Sequence, residues 1–204
     1  MNKGKLYIIS APSGAGKTSL IKKLIPITDK LVVSVSHTTR AQRPGETEGV
    51  DYFFTSVDSF KMQINQQGFL EYAQVFDNFY GTSQKSVTDN LKQGNDVILE
   101  IDWQGAEQIR HLLPDAISIF ILPPSTEVLR QRLQGRGQDS KEIIDRRMQD
   151  AVTEMSHFSE YDYLVVNDVF NTALTELKSI ILANRLNIEH QQQHLEKLLI
   201  DLLN

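Results

Sequence analysis

No cysteine occurs anywhere in the 204 residues. That absence excludes disulfides, thiolate nucleophiles and cysteine-held metals, and it suits a reducing compartment. Histidine is sparse too: His37, His111, His157, His190 and His194 show no metal-ligand spacing. His190 and His194 stand four apart but lack the glutamate of an H-E-x-x-H zinc helix. No apolar run approaches the roughly 18 residues of a membrane span, and the apolar stretch before Ser10 is too short for a secretory leader. The net charge of −5 leaves no overall basic face for nucleic acid. The Asn-Lys-x-Asp string with which regulatory GTPases read their base is missing as well. With 40% hydrophobic and 23% charged residues, the chain falls among ordinary globular proteins. The expectation is a cytoplasmic protein that engages neither membrane nor nucleic acid.

What is present starts at the amino terminus. The apolar run Leu6-Tyr7-Ile8-Ile9 leads into Ser10-Ala11-Pro12-Ser13-Gly14-Ala15-Gly16-Lys17-Thr18, and a helix-period stretch follows to Ile25. Strand, small-residue loop and helix form a phosphate cradle. Gly14 and Gly16 let backbone N–H groups converge without a Cβ in the way. Lys17 reaches β- and γ-phosphates, the Thr18 hydroxyl suits Mg²⁺, and the helix adds its positive end. Ala11 stands where the G-x-x-x-x-G-K-[ST] pattern begins with glycine; alanine is small enough wherever φ is negative. The loop predicts binding of a nucleoside triphosphate.

Short runs rich in Val, Ile and Leu alternate with helix-period segments. Strands are expected at 6–9, 31–35, 97–101, 117–122 and 163–166. Helices are expected near 17–25, 103–112, 125–134, 141–157 and 169–200. That alternation predicts an α/β fold with a parallel sheet flanked by helices and ligands at the strands' carboxyl ends. The stretch 36–93 breaks the rhythm. It gathers Tyr52, Phe53, Phe54, Phe60, Phe69, Tyr72, Phe76, Phe79 and Tyr80, with one-face-exposed strands near 52–55 and 69–76. It reads as a small inserted module carrying a second substrate's site. The Gly-punctuated link 135–140 suggests a mobile lid over about 130–147, where Arg130, Arg132, Arg136, Lys141, Arg146 and Arg147 face only Asp139, Glu142 and Asp145.

Further candidates stand outside the loop. Arg40 and Arg43, beside hydroxyls and Pro44-Gly45, offer two planar forks for a phosphate; on spacing alone two solvated arginines fit as well. Glu100 and Asp102 end the strand at 97–101 two residues apart and so point to one side, where a phosphate-loop enzyme keeps its Mg²⁺-associated acid; a solvated strand end is the alternative. Arg132 and Arg136 share a helical face, and Arg147 follows the lid. Such arginines can neutralise a transferring phosphoryl group. Trp103 reads as packing. Leu195, Leu198, Leu199 and Leu202 form an apolar stripe that either folds back on the core or pairs with a second subunit.

Taken in order, the strings APSGAGKT (11–18), SHTTRAQRPGE (36–46), DYFF (51–54), FLEYA (69–73), YGT (80–82), EIDWQGA (100–106), PPS (123–125), RLQGRG (132–137) and VVND (165–168) resemble the guanylate kinases, which are P-loop nucleoside monophosphate kinases. The resemblance spans 4–184 and leaves 185–204 as a helical extension. It implies the P-loop NTPase fold with a small mixed α/β monophosphate-binding insertion at about 36–93 and a helical lid. It implies transfer of the γ-phosphoryl of ATP to GMP, and to dGMP, with Mg²⁺. By resemblance Ala11 to Thr18 and Asn167 bind ATP. Arg40, Arg43, Tyr52 and Tyr80 hold the GMP phosphate, and Ser36, Glu71, Thr82 and Asp102 read guanine. Lys17, Arg132, Arg136 and Arg147 match the catalytic set, and Thr18, with Glu100 or Asp102 through water, matches the metal site. Guanine's adjacent N1–H and N2–H₂ donors suit the Glu71 carboxylate, which the N1 acceptor of adenine would leave unpaired. Glu100 stands where many relatives carry Asp. A non-catalytic binding module on the same fold would be expected to lack the loop's Gly16, Lys17 and Thr18, all of which are present.

Overall fold

The computed structural model describes residues 3–75, 77–135 and 140–204. Five strands make the central sheet: β1 (Leu6–Ser10), β2 (Leu31–Val33), β7 (Asp96–Glu100), β8 (Ile117–Leu122) and β9 (Tyr163–Val166). They lie in the order β2-β7-β1-β8-β9, every neighbouring pair parallel. All five residues of β1 are buried, as a central strand covered on both faces requires. Tyr7 and Ile9 pack on one side against Leu20, Ile21 and Leu24 of α1 (Lys17–Leu24) and Ala173, Leu177 and Ile181 of α7 (Phe170–Arg185). Leu6 and Ile8 pack on the other against Val87 and Leu91 of α3 (Gln84–Lys92) and Ala106 and Ile109 of α4 (Trp103–Leu112). The period-2 alternation of one strand thus serves two cores.

The aromatic-rich stretch forms a second sheet of four strands, β4-β3-β6-β5. These are β3 (His37–Thr38), β4 (Phe53–Phe54), β5 (Phe69–Val75) and β6 (Asn78–Ser83). β3 runs parallel to β4 and antiparallel to β6, which pairs antiparallel with β5. Helix α2 (Val57–Asn65), capped by the Ser56 side chain, supplies the small sheet's core. Its Phe60 is fully buried and stacks on Phe69 at 4.4 Å and Phe79 at 5.5 Å. Helices α2 and α3 were not among the expected elements; each buries few side chains, Phe60 in α2 and Val87 and Leu91 in α3. The strand expected at 52–55 shrinks to Phe53–Phe54.

On the far side, α5 (Thr126–Gln134) and α6 (Lys141–Ser156) pack through Leu129, Leu133, Ile144, Met148 and Ala151. The helix expected over 169–200 is three helices: α7, α8 (Ile188–His194) and α9 (Glu196–Leu203). The break has a local cause. The Arg185 carbonyl accepts from the Gln191 side chain at 3.1 Å and faces His190 Nδ1 at 3.1 Å, and Asn187 caps the new helix through Glu189 N–H at 2.9 Å. No residue of α9 is buried, so its leucine stripe does not lie on the core. Among the described residues, no helix is long and apolar enough to cross a membrane.

Candidate active site

The phosphate loop follows β1 at the sheet's carboxyl edge. A turn closes from Ala15 N–H to the Pro12 carbonyl at 3.0 Å, and α1 begins at Gly16. Gly16 has φ 96°, and a Cβ there would meet the Asn167 amide nitrogen at 2.4 Å. Glycine is therefore demanded twice, by backbone conformation and by close approach. Ala11 carries no positive φ, which is why alanine serves where the loop pattern has glycine. From behind, Asn167 Nδ2 donates to the Ala15 carbonyl at 2.7 Å, and Arg132 donates to the Ala15 carbonyl at 3.3 Å and the Asn167 carbonyl at 2.9 Å. The Asn167 side-chain oxygen Oδ1 is buried without a hydrogen-bond partner among the described residues.

At the mouth of the loop, Lys17 Nζ donates to the Ile101 carbonyl at 3.1 Å, and the Thr18 hydroxyl donates to Glu100. The two carboxylates at the end of β7 line one cavity but are bonded differently. Glu100 ends β7, whereas Asp102 lies past the strand and caps α4 by accepting from Gly105 N–H at 2.9 Å. A helix start needs its N–H groups satisfied, and Oδ1 of Asp102 meets that need. Two oxygen donors, the Thr18 hydroxyl and Glu100, therefore meet beside the loop. Such a hard-oxygen pair fits Mg²⁺ completed by phosphate and water, and no cluster of three or more His, Asp or Glu able to hold a metal occurs among the described residues.

Across the cleft stands Glu71, only 4% exposed. Between Phe69 and Glu71 the β5–β6 register slips by one residue, a bulge that turns Glu71 inward and sets it opposite Thr82. The Thr82 hydroxyl donates to its carboxylate at 2.5 Å. A Cβ on Gly105 would lie 2.6 Å from Glu71 Oε2, so only glycine lets α4 approach so closely. Burial pushes the Glu71 carboxyl up to about 7, the Thr82 hydroxyl pulls it back and the Asp102 charge raises it again.

A cavity of about 290 Å³ joins these groups. Ser13, Gly14, Gly16, Lys17 and Thr18 line one wall, and Ser36, Tyr52, Glu71, Tyr80 and Asp102 line the other. A second cavity, about 480 Å³, shares Thr18, Ser36, Tyr52, Tyr80 and Glu100 with it and extends to Arg40 and Arg43. Arg40 donates to Glu46 at 2.7 Å and lies 5.4 Å from the Tyr52 ring centre. Glu46 also accepts from Arg43 N–H at 2.8 Å, so one carboxylate organises both arginines. Burial raises the Tyr52 phenol to about 12, with Glu100 adding to it, so the group stays a neutral donor at physiological pH.

Of the expected site residues, Ala11 to Gly14, Gly16 to Thr18, Ser36, Arg40, Arg43, Tyr52, Glu71, Tyr80, Glu100 and Asp102 line one or both cavities. Thr82 holds Glu71 from the adjoining strand, and Ala15 is buried beneath the loop. Arg132 and Asn167 brace the loop from behind, and Arg147 sits on α6. Arg136 and Phe76 lie outside the described residues. Two residues escaped sequence reasoning. Glu46 was legible as the last letter of the 36–46 string. Glu154 of α6 lines the first cavity, and no local signal marks it. Burial pushes its carboxyl up to about 7; the Lys17 charge lowers it, Asp102 raises it, the Ser13 N–H lowers it and Asp150 raises it.

The fold and this double cleft define a phosphate-loop α/β protein built to hold two nucleotide ligands face to face. A sequence model of the guanylate kinase family matches residues 3–184. The chain is 60% identical to the guanylate kinase of Saccharophagus degradans over 201 residues, 98% of either chain. It is 62% identical to that of Hydrogenovibrio crunogenus over 182 residues, 89% of either. Among solved structures it resembles the crystal structure of guanylate kinase from Anaplasma phagocytophilum, with a TM-score of 0.78, 34% identity, and 92% of this chain and 89% of that one covered. The chain belongs to the guanylate kinase family.

Proposed function

We propose that the protein transfers the γ-phosphoryl group of ATP to GMP, giving ADP and GDP. The observation that carries this reading is one cavity lined both by the phosphate loop and by buried Glu71, which Thr82 holds from the adjoining strand. A carboxylate held in that position accepts from guanine's N1–H and N2–H₂ together. Adenine would set an acceptor against it.

The acceptor phosphate oxygen is already anionic at neutral pH, so no protein base is required; positioning and charge neutralisation supply the catalysis. Lys17 exchanges the Ile101 carbonyl for donor phosphates. Arg40 exchanges Glu46 for the acceptor phosphate, with Arg43, Tyr52 and Tyr80 beside it. Thr18 and Glu100 would hold Mg²⁺, which when bound supplies positive charge to the donor phosphates. Arg132, Arg136 and Arg147 belong to the lid over about 130–147, and 36–93 acts as the hinged acceptor module. Closure of both keeps water from the transferring group. A purely binding role would leave the complete loop with its lysine and threonine without a task.

The test is a coupled assay of ADP release with ATP and each nucleoside monophosphate in turn. GMP is expected to be preferred by roughly 10⁴-fold over AMP, the discrimination of a site whose polar groups go unpaired with the wrong base. Equal rates with AMP or UMP would overturn the reading.

A further inference from the structure

Glu154 has no part in the reaction as derived above, yet it lines the cavity with Ser13, Gly14, Gly16 and Lys17. It sits near the end of α6, and that end is pinned. His157, next after the helix, stacks on Trp103 at the start of α4 with ring centres 3.8 Å apart and planes 9° apart. Glu160 accepts from Arg110 of α4 at 2.6 Å and faces His157 Nδ1 at 2.5 Å. That carboxylate of Glu154 lines the same cavity as Lys17 and Ser13; the Lys17 charge and the Ser13 N–H favour its ionised form, against burial, the largest influence, which pushes it up to about 7.

A phosphate loop gathers backbone N–H dipoles and a lysine around a space meant for anions; empty, it is a concentration of uncompensated positive potential. We propose that Glu154 is the internal counter-anion of the empty loop, held there by α6 and displaced by the phosphates of the donor nucleotide. Arg147 stands seven residues earlier, two turns away on the same face of α6. Displacement of the carboxylate by an arriving donor therefore acts on the same helix face that carries Arg147. The inference rests on the donor site proposed above.

Two measurements test it. Calorimetric titration of ATP without GMP is expected to give the near-isosteric Glu154→Gln variant about five- to tenfold tighter binding than wild type, because the competing charge is gone. Equal or weaker binding overturns the proposal. In the absence of nucleotide, hydrogen exchange at the amides of residues 13–17 is expected to quicken in Glu154→Ala; an unchanged rate also overturns it. Wild-type turnover of GMP separates the two levels. If wild type phosphorylates GMP but Glu154→Gln binds ATP no more tightly, the counter-anion idea alone fails. If wild type neither binds ATP nor phosphorylates GMP, the proposed function itself fails.

Discussion

Affinity for the guanine ring is expected to rise steeply with pH, and Glu71 sets the scale. Its carboxyl is 4% exposed and pushed up to about 7 by burial, against Thr82's opposing hydrogen bond and with Asp102 adding. Only the ionised form accepts from both ring donors, so the association constant follows the ionised fraction. With a value near 7 that fraction is about 0.09 at pH 6 and about 0.91 at pH 8, a roughly tenfold gain; an ordinary glutamate near 4.3 would change by only a few per cent. The ligand phosphate itself ionises near pH 6, so guanosine is titrated alongside GMP to isolate the ring's share. The Glu71→Gln variant loses two charge-assisted bonds, each about 1.5–3 kcal/mol, which weakens GMP binding on the order of 10²- to 10⁴-fold. Calorimetric titration at pH 6, 7 and 8 reads both effects. A guanosine affinity flat across that range, or a Glu71→Gln protein that binds GMP like wild type, would refute the reasoning.

Two further outcomes follow from other parts of the molecule. Gly16→Ala places a side chain at φ 96° and against Asn167, so ATP affinity should fall about five- to thirtyfold while GMP affinity holds, since a left-handed residue costs about 1–2 kcal/mol; equal ATP binding in a fluorescence titration would count against the loop geometry. Arg185 Nε donates to Asp96 at 2.7 Å, and that carboxylate, 6% exposed, also accepts from Lys5 N–H at 2.7 Å; Arg185→Ala strands a buried charge and should cost about 3–5 kcal/mol in urea unfolding, whereas a loss below about 1 kcal/mol would show the pair to be idle.

The donor half of this protein was written locally. Residues 6–25 hold a strand, an anion loop and a helix in unbroken succession, so periodicity and residue size identify the loop without knowledge of the rest. The strands of the parallel sheet were legible for a similar reason: burial on both faces makes β1, β7 and β8 continuous apolar runs, and the edge strands β2 and β9 keep the apolar run although they are partly exposed. The acceptor half was legible only as motifs. Whether Glu71 faces the cleft depends on a one-residue slip between β5 and β6, and nothing in Phe69-Leu70-Glu71 announces it. The different partners of Glu100 and Asp102 depend on where β7 stops and α4 begins. The break after Arg185 depends on side chains taking over a backbone acceptor.

Sequence alone therefore determined the strand order of chemistry along the chain: where phosphates are held, which segments are buried, which family's strings are present. Tertiary structure decided which distant groups share a cavity, because a carboxylate on α6 and a lysine on α1 come to line the same space only once two helices far apart in sequence are packed beside the same sheet. That packing placed Glu154 at the loop, and no periodicity of the sequence records it, since each residue's own neighbours are indifferent to the other.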